Sequence, residues 1–267
     1  MLGKLLKYEL MGTARYFLPL LAAALLFSVL NRLFNSVLSP AFYWITGLLT
    51  FIEVVLIIAL AVMMLVIIIM RFYKNLLGSE GYLMFTLPVS THHNILSKLI
   101  TATIWNVVAM LVVAASILIM VGVNINDIAL SAWNEFISFS WEIVNINPVL
   151  LLIEWVVVCL ISVIGNILML YLAMAIGQLA NEHKFLASFG AFIGIQIGLS
   201  IIVSVVGATI SGLTIATGPE AFEWFDTLDL ATAVQFFTFG AALINIAFCA
   251  ACYFVTHFLL NRKLNLS

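Results

Sequence analysis

Two carboxylates stand where carboxylates are rare. Glu53 lies inside the apolar run from Ile45 to Met70, and Glu154 comes six residues after Pro148, near the head of another apolar run. A charge at mid-bilayer costs about 2.5–3.5 kcal/mol on insertion scales, so such residues face a bundle interior or a watery cleft. Two readings fit. Glu53 and Glu154, with Asn106, line a path and attract cationic material; or they are structural, protonated or hydrogen-bonded to Asn106 or Gln196, with Glu154 reaching outward to the interface. Cys249 and Cys252 sit one turn apart, but a metal site needs about four ligands and only His257 is near in sequence, so packing is the better reading. With Cys159 they form no disulfide framework. His92 and His93 precede a span as solvated residues. No paired-carboxylate, His-rich or nucleophile–base pattern stands out, so no catalytic, cofactor or metal residue is assigned and the chain is not read as an enzyme.

A third group of residues lies outside the apolar runs. The stretch from Arg71 reads Arg-Phe-Tyr-Lys-Asn-Leu-Leu-Gly-Ser-Glu-Gly-Tyr-Leu-Met-Phe-Thr-Leu-Pro-Val-Ser to Ser90, and then continues to Lys98. A short helix bearing Tyr82, Leu83, Met84 and Phe85 is an apolar surface outside the membrane, and such patches mark contact sites. Pro88 ends it sharply, because the residue before a proline is pushed out of helical geometry. The competing reading is an interfacial helix lying on lipid.

The elements that must position these residues follow from composition. Hydrophobic residues make up 65% of the 267, and charged residues 8%, against about 25% in a soluble domain. So few charges cannot cover a water-facing surface, and the solvent for most of the chain is lipid. Apolar runs of about 20 residues or more, enough to cross a hydrocarbon core, fall at about 17–37, 43–70, 98–123, 148–176, 186–216 and 231–260. They are long and continuous, which excludes a β-barrel. The fold class is therefore all-α integral membrane, a six-transmembrane-helix bundle forming one domain over 1–267. No signal peptide precedes it.

Residues 1–15 read as an amphipathic interfacial helix. Leu2, Leu5, Leu6 and Leu10 share one face, and Lys4, Lys7 and Glu9 lie off it. Asn31, Arg32 and Asn35 interrupt the end of the first span. With six spans, nine of the ten Lys/Arg residues fall on the side of the termini: Lys4, Lys7, Arg15, Arg71, Lys74, Lys98, Lys184, Arg262 and Lys263. The positive side is cytoplasmic, which places both termini inside a multi-pass plasma-membrane protein. Between the third and fourth spans, Asp127, Ser131, Asn134, Glu135, Ser138, Glu142 and Asn145 recur at helical steps, with Trp133, Ile137, Trp141 and Val144 beside them. This predicts a helix on the outer membrane surface. A second outer piece runs from Pro219 to Asp229, with Glu220 and Glu223 in its first turns. Gly190, Gly194 and Gly198 form a small-residue stripe that lets another helix approach closely, within one subunit or between two.

The 71–98 stretch resembles the cytoplasmic segment of permease subunits of type-2 ATP-binding-cassette exporters, particularly the small clostridial-type permeases. In that family an acidic residue and a glycine lead a short apolar helix ending in Leu-Pro and a small polar residue, with a lysine shortly before the next span. Glu80, Gly81, Leu87, Pro88, Ser90 and Lys98 occupy those places; the family's Thr-Leu-Glu after the glycine is Tyr82-Leu83-Met84 here. The resemblance implies a short cytoplasmic coupling helix within 71–97, with Gly78, Glu80, Gly81, Tyr82, Leu83, Phe85, Leu87 and Pro88 docking on a separate cytoplasmic ATPase. It also implies a second permease subunit, alike or different, and export of a peptide, lipid or drug-like substrate. The chain has no G-x-x-x-x-G-K-[ST] phosphate loop, so ATP and Mg would belong to the partner ATPase. No nucleic-acid partner is expected. The alternative class is a multi-span protein not driven by ATP, a secondary transporter or a sensor-type scaffold. Inverted repeats would favour the transporter, and none is apparent along the chain.

Overall fold

The computed structural model describes residues 2–37, 43–73, 91–121, 125–180, 183–217 and 229–262. They form seven α-helices: α1 (Leu2–Val37), α2 (Tyr43–Phe72), α3 (Thr91–Val121), α4 (Ile125–Ser138), α5 (Pro148–Gly177), α6 (Lys184–Thr217) and α7 (Leu230–Arg262). Among the described residues there is no strand. All but α4 are long and apolar enough to cross a membrane. The protein is an all-α integral membrane protein with six spanning helices. In lipid every backbone polar group must be satisfied within the segment, which leaves helices as the structure for apolar runs of this length.

Two boundaries differ from expectation. Residues 2–15 are helical, but they are not a separate element. α1 runs unbroken for 36 residues, with Pro19 inside it. The third span begins at Thr91, not near 98, so Lys98 lies two turns inside α3. The polar residues at the far end of α1 do not interrupt it, since helix continues to Val37.

The chain divides into two compact units, Met1–Ser131 and Ala132–Asn265. In the first, α1 packs against both α2 and α3, most extensively α3. Its core is built from Phe17, Leu21 and Ala24 of α1, Leu60, Met64 and Ile67 of α2, and Trp105 and Ala109 of α3. The steps of three and four put each set on one face. Lipid tails are as apolar as these side chains, so their contact stabilises through close packing rather than through the hydrophobic effect.

In the second unit α5 packs against both α6 and α7. The helix after α3 ends in a π-helical turn, Phe139–Ile143, closed by Val144 N–H donating to the Phe139 carbonyl at 3.0 Å. Asn145 follows with φ 56°, a left-handed conformation that asparagine tolerates. Asn147 caps α5: its side-chain oxygen accepts from the Val149 N–H at 3.0 Å, and Pro148 takes the first helical position, where its missing N–H is not needed. Val144, Ile146 and Leu151 are thereby buried against Phe136, Ala231 and Val234. Trp133, Trp141 and the polar residues Asn134, Glu135 and Glu142 remain exposed, as an element at a membrane surface requires. α5 and α6 meet at Gly177. A Cβ there would lie 2.5 Å from the Ser188 backbone nitrogen and collide with the Ser188 hydroxyl, so only glycine permits the approach.

Candidate functional site

The residues Gly78, Glu80, Gly81, Tyr82, Leu83, Phe85, Leu87 and Pro88 lie outside the described residues, as does the outer piece 219–228. What is defined is the pair of helix ends that flank the 74–90 connection, and both converge on one carboxylate. Glu9 of α1 is 8% exposed and Lys98 of α3 is 4% exposed. Lys98 Nζ donates to Glu9 Oε1 at 2.6 Å. Arg71, at the end of α2, places Nη1 3.7 Å from Glu9 Oε2. Arg71 reaches α1 over Gly12, where a Cβ would come within 2.9 Å of its guanidinium. One turn deeper, Thr13 donates to the Glu9 carbonyl at 2.7 Å and accepts from Trp105 Nε1 at 2.7 Å. Trp105 in turn stacks on Phe17, centroids 4.9 Å apart. The side of α1 expected to face water at Glu9 is instead its main polar contact with α2 and α3.

A second polar cluster lies toward the opposite end of the same unit. Asn31 is fully buried and Glu53 is 1% exposed. Asn31 Nδ2 donates to Glu53 Oε2 at 3.0 Å and to Thr50 Oγ1 at 3.2 Å. Its Oδ1 accepts from Asn35 at 3.2 Å, and Thr50 donates onward to the Thr46 carbonyl at 2.9 Å. Glu53 Oε1 has no hydrogen-bond partner. Arg32 donates to the Ile119 carbonyl at 3.4 Å, joining α1 to α3. The partner of Glu53 is thus Asn31, not Asn106 or Gln196. Asn106 is half-buried on α3 and is not bonded to the carboxylate.

Glu154 belongs to the second unit. It is half-buried, and its Oε2 is enclosed without a hydrogen-bond partner. With Val157, Val158, Thr238, Phe239 and Ala242 it lines a partly open cleft of about 90 Å³ between α5 and α7. The cysteines pack: Cys249 Sγ lies 3.6 Å from the Ile161 carbonyl, opposite Gly165, and Cys252 is buried. Among the described residues no three His, Cys, Asp or Glu side chains come together as a metal site. A Cβ added at Gly190, Gly194 or Gly198 would meet nothing within 4 Å, so among the described residues no helix packs closely on this stripe of α6.

The sequence reading missed Glu9, Asn31 and Thr50 as site-forming residues. A signal existed for one of them. Asn31 and Asn35 are one turn apart in an apolar helix, and buried amides in lipid seek a polar partner on a neighbouring helix.

No family model, no curated protein and no solved structure matches the chain. The class is set by the fold alone: a multi-pass α-helical membrane protein with a buried ionic cluster at one end of its first three-helix unit.

Proposed function

We propose that the chain is the membrane permease of an ATP-driven exporter, energised by a separate cytoplasmic ATPase. The observation that carries this reading is the 78–98 stretch: Glu80-Gly81, a short apolar run, Leu87-Pro88, Ser90 and then Lys98, between two long apolar spans. Two permease subunits, alike or different, pair with two ATPases in the plasma membrane, with both termini cytoplasmic. ATP and Mg act in the ATPase, whose preference for ATP in its closed form drives the cycle. Closure pushes on the 78–90 segment. Because Arg71 before it and Lys98 after it both meet Glu9, a push there loads α1, α2 and α3 together. The cargo is a peptide, lipid or drug-like molecule, with Glu53, Glu154 and Asn106 as candidate path residues.

Changing Glu80→Lys together with Phe85→Asp tests the reading. Both positions lie outside the long apolar helices, so insertion should stay normal while ATPase copurification and transport fall. Unchanged ATPase recovery would return the segment to a lipid-facing role.

One observation favours the alternative, a transporter not driven by ATP. Each compact unit holds three spanning helices, and in each the first helix packs on both others. Two three-helix units of like packing are the halves that an internal repeat of a transporter would give. Purification that never recovers an ATPase, with transport following an ion gradient, would establish this second reading.

A further inference from the structure

We propose that the cleft between α5 and α7 is a binding site for the primary ammonium headgroup of an aminophospholipid, with Glu154 as its counter-ion. The proposal stands on the geometry of the second unit and does not rest on the export reading. Glu154 Oε2 is enclosed and unpartnered, and the cleft beside it is walled by the carbon of Val157, Val158, Phe239 and Ala242. A carboxylate held among apolar groups without a donor is costly unless a cation joins it. The cleft of about 90 Å³ takes a small alkylammonium and not a drug-sized ligand, which typically needs about 300 Å³ or more. A turn of the Glu154 side chain toward the opening completes the pair. Thr238 donates its hydroxyl proton to the Gln235 carbonyl at 3.0 Å, so it sets no free donor against a bound cation. Phe239 supplies an aromatic ring, on whose face an ammonium can rest.

Depth selects the lipid. α5 has 30 residues, or roughly 45 Å, against a hydrocarbon core of roughly 30 Å, so about 7 Å lies beyond the core at each end when the helix is centred. Glu154 is six residues from the start of α5, or roughly 9 Å along it, which puts it at the boundary between headgroups and acyl chains. Its neighbour Trp155 is exposed, and tryptophan favours that depth. An ethanolamine lipid in the surrounding leaflet would carry its headgroup at this level, and its ammonium donates three hydrogen bonds. A choline headgroup at the same depth is methylated, bulkier and donates none.

The test uses the full purified chain and native mass spectrometry, with phosphatidylethanolamine and phosphatidylcholine of identical acyl chains offered at equal concentration. Wild type should retain the ethanolamine lipid about tenfold over the choline lipid, the factor one charge-assisted hydrogen bond supplies. Glu154→Gln removes the charge and should erase the preference. Ala242→Phe fills the cleft while keeping the carboxylate and should erase it too, with helix content by circular dichroism unchanged in both. Equal retention of the two lipids by wild type overturns the proposal. So does a preference that survives Glu154→Gln, or retention of a lysine-bearing peptide in place of the lipid.

Discussion

Glu9 is the residue on which the first unit depends most visibly. Its ion pair with Lys98 is almost closed to solvent, so removing one partner leaves the other's buried charge less well compensated. Lys98→Met takes from Glu9 its 2.6 Å partner, and should lower stability by about 3 kcal/mol, as breaking a buried pair does. The double variant Glu9→Gln, Lys98→Met removes both charges and should be more stable than Lys98→Met alone. Thermal unfolding in detergent measures both, and strict additivity would show that the two residues do not interact. Glu53 behaves differently because it already carries one unsatisfied oxygen. Glu53→Gln keeps its shape, removes a buried charge and should leave unfolding unchanged or raise its midpoint. Asn31→Leu takes away the one donor to Glu53 Oε2 among the described residues and should cost about 1.5–3 kcal/mol, the worth of a hydrogen bond to a charged group. If Glu53 also recruits cationic cargo, transport falls in Glu53→Gln while the amount of folded protein holds.

At the scale of elements, glycine separates helix contacts that the chain makes from those it leaves open. Gly177 sits against the backbone of Ser188, so Gly177→Ala forces α5 and α6 apart and should cost about 1–3 kcal/mol, as overpacking does. Gly194 has nothing within 4 Å, so Gly194→Ala should leave unfolding of the monomer unchanged or slightly raise its midpoint, since alanine is the better helix former. Paired thermal unfolding curves give the comparison directly. Both glycines look alike in the sequence, each following an apolar residue in a long apolar run. Their difference comes from which helix lies beside them.

For the whole molecule, the testable quantity is topology. The proposed topology puts nine of the ten Lys/Arg residues on one side of six spans, with both ends in the cytoplasm. Single cysteines at Ser138 and Asp226, in a background without Cys159, Cys249 and Cys252, should label in intact cells with an impermeant thiol reagent. A cysteine at Ser267 should not, and labelling there would break the six-span orientation.

Membrane class, helix count and most span ends were legible from the chain because they depend on local quantities. The length of an apolar run against a fixed bilayer thickness decides whether it crosses, and the run read from 148 starts where α5 does. The polar contacts were not legible, because each depends on residues far apart in the chain meeting across a helix interface. Glu9 and Lys98 are 89 positions apart, and Asn31 and Glu53 are 22 apart. Read locally, Glu9 falls on the polar side of an amphipathic segment, Lys98 sits just ahead of a span, and Asn31 breaks one. Only when α1 packs against α2 and α3 do these residues leave water together, so that the lysine meets one carboxylate and the amide the other.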